Sequence, residues 1–354
     1  MSAEIMRREI LEQPAVCDTL LSREEASLAP LVRRLQKDPP LGIVLAARGS
    51  SDHAATYARY FLEYMTGIPT LLAAPSLVSV YKRRPDFRRY LVIGVSQSGQ
   101  GPDINAVMAE AARQGARTLG ITNDPKSGLA KVSGHVLHLG AEKEQAVAAT
   151  KTFTTELTGL ALLAVMWMED RGLMKQLRKI PEQMRQVLID TDEAVERTAK
   201  KLKNLKACVV LGRGFQMGVA HEMGLKMKEC AGVPALSYST ADFAHGPVSL
   251  AQGGFPVFLL SSPGKMEKEA FESTQDFVRR GASVYRVGLR DRYFSKLKKS
   301  KSLDLSMTAE ADTHETLAPL LTILPGQWFA YHNALAKGMN PAMPKGLKKV
   351  TKTR

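Results

Sequence analysis

Short apolar runs alternate with stretches of helical period along most of this chain, and the alternation predicts its elements. Residues 91–95 are an unbroken apolar run that stops at hydroxyls, an amide and glycines; apolar positions return at helical spacing from 104 to 113. This predicts a buried parallel strand, a tight loop and a helix start. Upstream, Leu28, Leu31, Val32 and Leu35 place the chain up to about Lys37 in a helix, which Asp38-Pro39-Pro40 ends. A strand follows at 42–46, then a helix at 52–65 stopped by Gly67-Ile68-Pro69, a strand at 70–73, a helix at 77–81 and a strand at 118–121. Strands alternating with helices imply a parallel sheet covered on both faces. Residues 144–150 read as a loop. Lys151 opens a helical region that reaches about Lys203 with a break near Pro181, and its charged second half reads as a connector between two halves.

The pattern then repeats. Arg48-Gly49 is matched by Arg213-Gly214, and Gly67-Ile68-Pro69 by Gly232-Val233-Pro234, at one offset (213 − 48 = 234 − 69 = 165). A repeat this long means two copies of one domain. Each copy is expected to be an α/β unit, a doubly wound parallel sheet near the flavodoxin-like order with flanking helices. The copies differ where chemistry would sit. The first has SQSGQ at 96–100 and the second SSPGK at 261–265; the second has Glu229 where the first has Tyr64. One copy gripping phosphate while the other supplies a base is a natural division of labour.

Composition narrows the classes. The 354 residues suffice for two cored domains, and 44% hydrophobic with 24% charged residues is ordinary for a globular protein. No apolar run has the length of a membrane span, and the charged, amphipathic N-terminus has no signal-peptide core, so a cytoplasmic protein is expected. Three cysteines without metal-ligand spacing imply reduced thiols, and no histidine pair has zinc-protease spacing, so neither a metal nor a cofactor is expected. Gly212-Arg213-Gly214 lacks the third glycine of a dinucleotide fingerprint. The net charge of +14 suits an anionic small substrate as well as nucleic acid, and no nucleic-acid-binding motif accompanies it.

Four places could carry chemistry. The loop from Ser96 through Gln97 and Ser98 offers backbone N–H groups, side-chain donors and a helix N-terminus to a phosphate, although serines that merely cap the helix give the same pattern. Glu229, just after Lys226 and Lys228 near a helix end, is a carboxylate able to move a proton between neighbouring sugar carbons, or an ordinary salt-bridged surface residue. His245, before Gly246-Pro247, is either an acid–base group on a rigid loop or a buried, hydrogen-bonded histidine. Lys349, in a basic tail, is either a Schiff-base lysine or a solvated one. Asp52 and His53 beside Ser51 suggest a serine hydrolase, but Gly94-Val95-Ser96-Gln97-Ser98 lacks the last glycine of a nucleophile elbow.

Taken together, these pieces resemble the double sugar-isomerase (SIS) domain family, in particular the isomerase half of glucosamine-6-phosphate synthase and stand-alone SIS-type deaminases and isomerases. The resemblance rests on Gly49-Ser50-Ser51, Ser96-Gln97-Ser98-Gly99, Glu144 with the run 147–155, Leu225-Lys226-Met227-Lys228-Glu229, His245-Gly246-Pro247 and Leu347-Lys348-Lys349. It implies two tandem SIS domains: an arm at 1–40, a phosphate-binding domain with connector helices at 41–195, a domain bearing the base at 196–338, and an active-site tail at 339–354. By the same resemblance, Ser51, Ser96, Gln97 and Ser98 contact phosphate and sugar, while Val147, Ala149 and Lys348 line the sugar. Glu229 shuttles the proton between C1 and C2. His245 opens the ring, reaching in from the other subunit of a homodimer, and Lys349 meets the ketose carbonyl.

The chain departs from that pattern at three positions. Gly101 stands where a Ser or Thr is usual, Ala149 where a Ser is usual, and Asp242 where a Glu is usual. No glutaminase segment precedes the pair, which favours release of ammonia over its capture. The expected activity is therefore hydrolysis of glucosamine 6-phosphate to fructose 6-phosphate and ammonia. The alternatives are an aldose–ketose isomerase or deglycase acting on another sugar phosphate, or a sugar-phosphate sensor without turnover. No nucleic-acid or membrane partner is expected.

Overall fold

The structure is a computed structural model that describes residues 2–349. A long helix, α1 (Glu4–Lys37), leads into two compact units. The first-sheet unit comprises residues 15–144 and 151–178 with Lys348 and Lys349; the second-sheet unit comprises residues 2–14, 145–150 and 179–347.

In the first-sheet unit the order is β1 (Gly42–Ala46), α2 (Ser50–Thr66), β2 (Thr70–Leu72), α3 (Pro75–Ser79), β3 (Tyr90–Val95), α4 (Pro102–Arg113), β4 (Arg117–Thr122), α5 (Gly128–Val132), β5 (His135–His138), α6 (Lys151–Trp167) and α7 (Arg171–Leu177). All neighbouring strands are parallel, in the order β2-β1-β3-β4-β5. β1 is buried at every residue and β3 at all but its first, as expected for a sheet covered on both faces. The order in which strands are added reverses between β1 and β3, where Ala46 lies opposite Gly94. That reversal is the switch point at which open α/β sheets bind ligands. The segment after β1 (48–51) and the segment after β3 (96–101) both leave the sheet there.

The second-sheet unit repeats the plan: α8 (Ile180–Lys201), β6 (Cys208–Leu211), α9 (Met217–Ala231), β7 (Ala235–Tyr238), α10 (Thr240–Ala244), β8 (Pro256–Ser261), α11 (Glu267–Arg279), β9 (Ser283–Leu289), β10 (Leu303–Ala309) and α12 (Pro319–Ala336). Its strands run β7-β6-β8-β9-β10, all parallel, which is the first order over again. The offset extends to helix ends. α2 stops at Gly67 (φ 68°) and α9 at Gly232 (φ 61°), each donating its N–H back into the last turn. The expected pair of doubly wound α/β sheets in flavodoxin-like order is what the structure contains.

Several boundaries differ from expectation. The break expected near Pro181 falls at residues 178–179, a second lies at 168–170, and Pro181 itself sits in the first turn of α8. A proline there forfeits no helical hydrogen bond and its ring is already set for the helix. The charged half of that region is the outer face of an amphipathic helix, with Met184, Val187, Leu188 and Val195 buried and the Trp328 indole donating to the Leu188 carbonyl (3.2 Å). α3 begins at Pro75, two residues before the expected start. Among the described residues no helix is long and apolar enough to cross a membrane.

Candidate functional site

The loop after β3 is built to expose N–H groups. Gly99 (φ 60°) takes the left-handed conformation, and a Cβ there would meet the Ser127 hydroxyl at 2.2 Å, so only glycine fits. Its carbonyl accepts from Leu129 N (3.0 Å) and Asn105 Nδ2 (3.2 Å), and the Gln97 carbonyl accepts from Asn123 N (2.9 Å). With its carbonyls tied down in this way, the loop leaves the N–H groups of Gln97 and Ser98 without acceptors among the described residues. Ser96, Gln97 and Ser98 are half-buried. Neither serine caps α4, whose N-cap is Gly101 with no side-chain bond; Ser96 Oγ accepts instead from Gly99 N (3.1 Å) and Ser98 Oγ from Gln100 N (3.3 Å). The structure thus removes the helix-capping explanation.

Beside the loop, Gly49 (φ 60°) turns the chain into α2. Ser51 is buried and donates to Glu156 Oε1 of α6 (2.7 Å). Arg48 donates through Nε to Asp103 Oδ2 in the first turn of α4 (2.8 Å). In the same unit Lys349 is not a solvated tail residue. Its Nζ lies 2.6 Å from Oε2 of the buried Glu144, which also accepts from the Thr152 hydroxyl (2.7 Å). Lys348 is exposed.

In the second-sheet unit, α9 presents Glu222, Lys226 and Glu229 on one face. Lys226 is wholly buried; its Nζ meets Glu222 Oε1 at 3.2 Å and Glu229 Oε2 at 2.6 Å. Burial works against this ammonium, but the two carboxylates outweigh burial and hold it above the usual lysine range. Glu229 itself is 23% exposed, so a buried cation grips one oxygen of a carboxylate that still reaches solvent. Of the two flanking lysines only Lys226 does this, because Lys228 is exposed. Sequence reasoning passed over Glu222 and Lys226 as site residues. Their spacing from Glu229, seven and three residues, places all three on one helical face and is the signal that could have found them.

His245 closes α10 and is exposed, which excludes the buried-histidine alternative. No hydrogen bond or ion pair joins it to Glu229 among the described residues. The loop 145–150 carries Val147 and Ala149, both half-buried. It is held by Glu9 of α1, which accepts the N–H groups of Gln145 and Ala146 (the latter at 3.2 Å), and by Val147 N to the Ala342 carbonyl (2.9 Å).

The second copy's counterpart of the loop 96–100 has Pro263, which carries no N–H, at the offset of Ser98, and it receives two carboxylates of the protein. Gly264 N donates to Glu267 Oε1 and Lys265 N to Glu315 Oε2, both at 2.6 Å. Ser261, the counterpart of Ser96, accepts from the buried Arg286 through Nε (3.1 Å) and Nη2. Among the described residues no group of three or more His, Cys, Asp or Glu could hold a metal ion.

The SIS domain profile matches this chain at residues 41–166 and again at 201–337. The glutamine–fructose-6-phosphate aminotransferase (isomerizing) of Gloeobacter violaceus is 32% identical over 97% of the chain, and the chain spans 58% of that relative's length. A crystal structure from Silicibacter pomeroyi DSS-3, provisionally described as a phosphosugar isomerase, superposes with a TM-score of 0.85 at 33% identity, covering 96% of this chain and 100% of that one. The glucosamine-6-phosphate deaminase of Thermotoga maritima superposes with a TM-score of 0.77 at 22% identity, covering 99% and 100%, a likeness of fold alone.

Proposed function

The chain belongs to the SIS domain family, and on that premise we propose that it is a phosphosugar enzyme that hydrolyses glucosamine 6-phosphate to fructose 6-phosphate and ammonia. The observation that carries the reading is Glu229, a solvent-reaching carboxylate anchored by a buried lysine. Such a group keeps its charge and its aim while one oxygen remains available to a proton.

Phosphate binds at the loop of Ser96, Gln97 and Ser98, and that remote anchor orients the reacting carbons. His245 moves the proton between the ring oxygen and the C1 hydroxyl, opening the ring. Glu229 takes the C2 proton and returns it at C1 while a proton of the amine passes to O1, which converts the amino aldehyde into a C1 alcohol with a C2 imine. The Lys349 amine adds at C2 and expels ammonia, after giving its own proton to Glu144, which lies within hydrogen-bond reach. Water then hydrolyses the lysine imine and releases the ketose. Val147, Ala149 and Lys348 line the sugar. The working form is a homodimer in which His245 serves the site of the partner subunit.

Plain aldose–ketose isomerisation is the second reading, favoured by the description of the Silicibacter structure. The same proton transfer serves it without loss of nitrogen. The test is release of ammonia and fructose 6-phosphate from glucosamine 6-phosphate by purified protein, beside a Glu229→Gln variant. Both products from the wild type and neither from the variant are expected. An active Glu229→Gln variant overturns the assigned base, and ketose formed from an aldose phosphate without ammonia moves the reading to an isomerase.

A further inference from the structure

We propose that Arg48 is a second anchor for the substrate's phosphate, completing the loop of Ser96, Gln97 and Ser98; the inference rests on the reading of that loop as the phosphate site. Position brings Arg48 there. β1 and β3 are adjacent and parallel with Ala46 opposite Gly94, so the residue two beyond each, Arg48 and Ser96, leave the sheet side by side at the switch point. The guanidinium is held by one edge only. Nε donates to Asp103 Oδ2 at 2.8 Å, whereas Nη1 and Nη2 make no hydrogen bond among the described residues; Asp52 acts on the guanidinium only through its charge.

The pair is asymmetric. The Asp103 side chain is 1% exposed and the Arg48 side chain 50%. Asp103 also accepts the Ile104 N–H through Oδ1 (3.0 Å), so the carboxylate is fixed to the first turn of α4, beside the loop. A buried, doubly bonded aspartate orients the fork, and two nitrogens of the fork remain for an anion. A guanidinium presenting paired N–H groups matches two phosphate oxygens at once, which an ammonium does not.

The site needs such a donor, because Gly101, the last residue before α4, contributes no hydroxyl. The second copy supplies a contrast. Its Arg213, at the same place in the repeat, meets Glu269 Oε1 through Nη1 at 3.0 Å, so that fork is already engaged on the side that Arg48 keeps open. In the first copy the arginine therefore serves the ligand, and in the second it serves the fold. Two anchors also favour a phosphate dianion, and binding is expected to weaken below about pH 6 as the second phosphate proton returns.

The test is binding of inorganic phosphate and of glucosamine 6-phosphate to the full chain, read by thermal melting and calorimetry, so that turnover is not needed. Arg48→Met/Asp103→Asn removes the pair together and leaves no buried charge uncompensated; Arg48→Lys keeps the charge and loses the fork. Affinity for both probes is expected to fall ~10- to 100-fold in the double variant and by a smaller factor in Arg48→Lys. If the double variant does not fold, Arg48→Lys decides. Variants that fold and bind both probes as the wild type does overturn the role of Arg48 and leave the loop assignment standing. A wild type that binds neither probe overturns the loop as a phosphate site, and this inference with it.

Discussion

Lys226 is the residue on which the second-sheet site depends, because it is a wholly buried cation between two carboxylates. Removing one partner of a buried ion pair leaves the other charge uncompensated, which costs more than the pair contributes. Lys226→Met is therefore expected to lower stability by about 3 kcal/mol, with Glu222 left inside without its cation. Urea unfolding checks this, and an unchanged midpoint would contradict the geometry. The pH dependence has a definite sign. The folded protein holds the Lys226 proton more tightly than the unfolded chain does. The stabilisation is thus complete below the unfolded lysine value of about 10.4 and is lost as pH rises from there through the folded value. Wild type should lose stability in that alkaline window, and Lys226→Met should lack this component. Cys230, beside Glu229, behaves differently. Burial pushes its thiol up to about 12, and its Sγ lies against Met6 Sδ at 3.9 Å. Cys17 and Cys208 are likewise pushed up to about 12 by burial. Iodoacetamide at neutral pH should label none of the three cysteines until the chain is unfolded, and rapid labelling of the native protein would refute their burial.

At the scale of elements, α1 is more than an arm. Its Glu9 accepts two consecutive N–H groups of the loop 145–150, and its Gln13 donates to Gln327 Oε1 (2.8 Å), whose Nε2 donates to the Thr150 carbonyl (3.4 Å). Glu9→Ala takes away the acceptor at the start of the loop that carries Val147 and Ala149, and is expected to cost about 1–3 kcal/mol. It should also raise KM for the sugar phosphate more than it lowers kcat if the loop lines the sugar as proposed, because it loosens that loop rather than the groups proposed to move protons; an unchanged KM would contradict that. This role was not legible in the sequence, where Glu9 is one charge among several in an amphipathic stretch. The elements that were legible are apolar runs or helical stretches bounded by turn residues, β2 among them although two of its three residues are exposed. β1, β3 and β4 are apolar runs bounded by turn residues, and Gly67 and Gly232 announce their helix ends. β5, with a histidine at each end, and β10, whose middle is only half-buried, carry too weak a period-2 signal beside their neighbours to be read as strands. The loop of Ser96, Gln97 and Ser98, with Glu229, His245 and Lys349, could be named because their motifs are local. Glu144, Asp103 and Glu156, which hold Lys349, Arg48 and Ser51, are joined to them only by the fold.

The whole chain is a duplication in which one fold has been put to two uses, and the hydrogen bonds state the difference. The first copy keeps N–H groups of Gln97 and Ser98 open at its switch point, whereas in the second Pro263 stands at the offset of Ser98 and offers no N–H, Glu267 and Glu315 accept from Gly264 and Lys265, and Ser261 is drawn onto Arg286. With one N–H fewer and two carboxylates of the protein bonded to its loop, the second copy is set against an anion, so calorimetry with inorganic phosphate should find one site per chain; two equal sites would contradict the asymmetry. Division of labour within the chain leaves His245, which is exposed and bonded to none of the other site residues among those described. If it serves the partner subunit, catalysis must be separable by mixing. Consider a dimer of one Glu229→Gln chain and one His245→Asn chain. The site built on the first chain's base receives the second chain's defective histidine and is dead twice over. The other site has an intact Glu229 and an intact His245. Random exchange makes half the dimers mixed, and half the sites in those are whole, so two inactive variants should together recover about a quarter of wild-type activity. If His245 served its own chain, every site in the mixed dimer would carry one defect and mixing would restore nothing. Co-expression of the two variants with different tags, followed by assay of the doubly purified dimer, in which every molecule is mixed and about half of wild-type activity is expected, distinguishes the two cases.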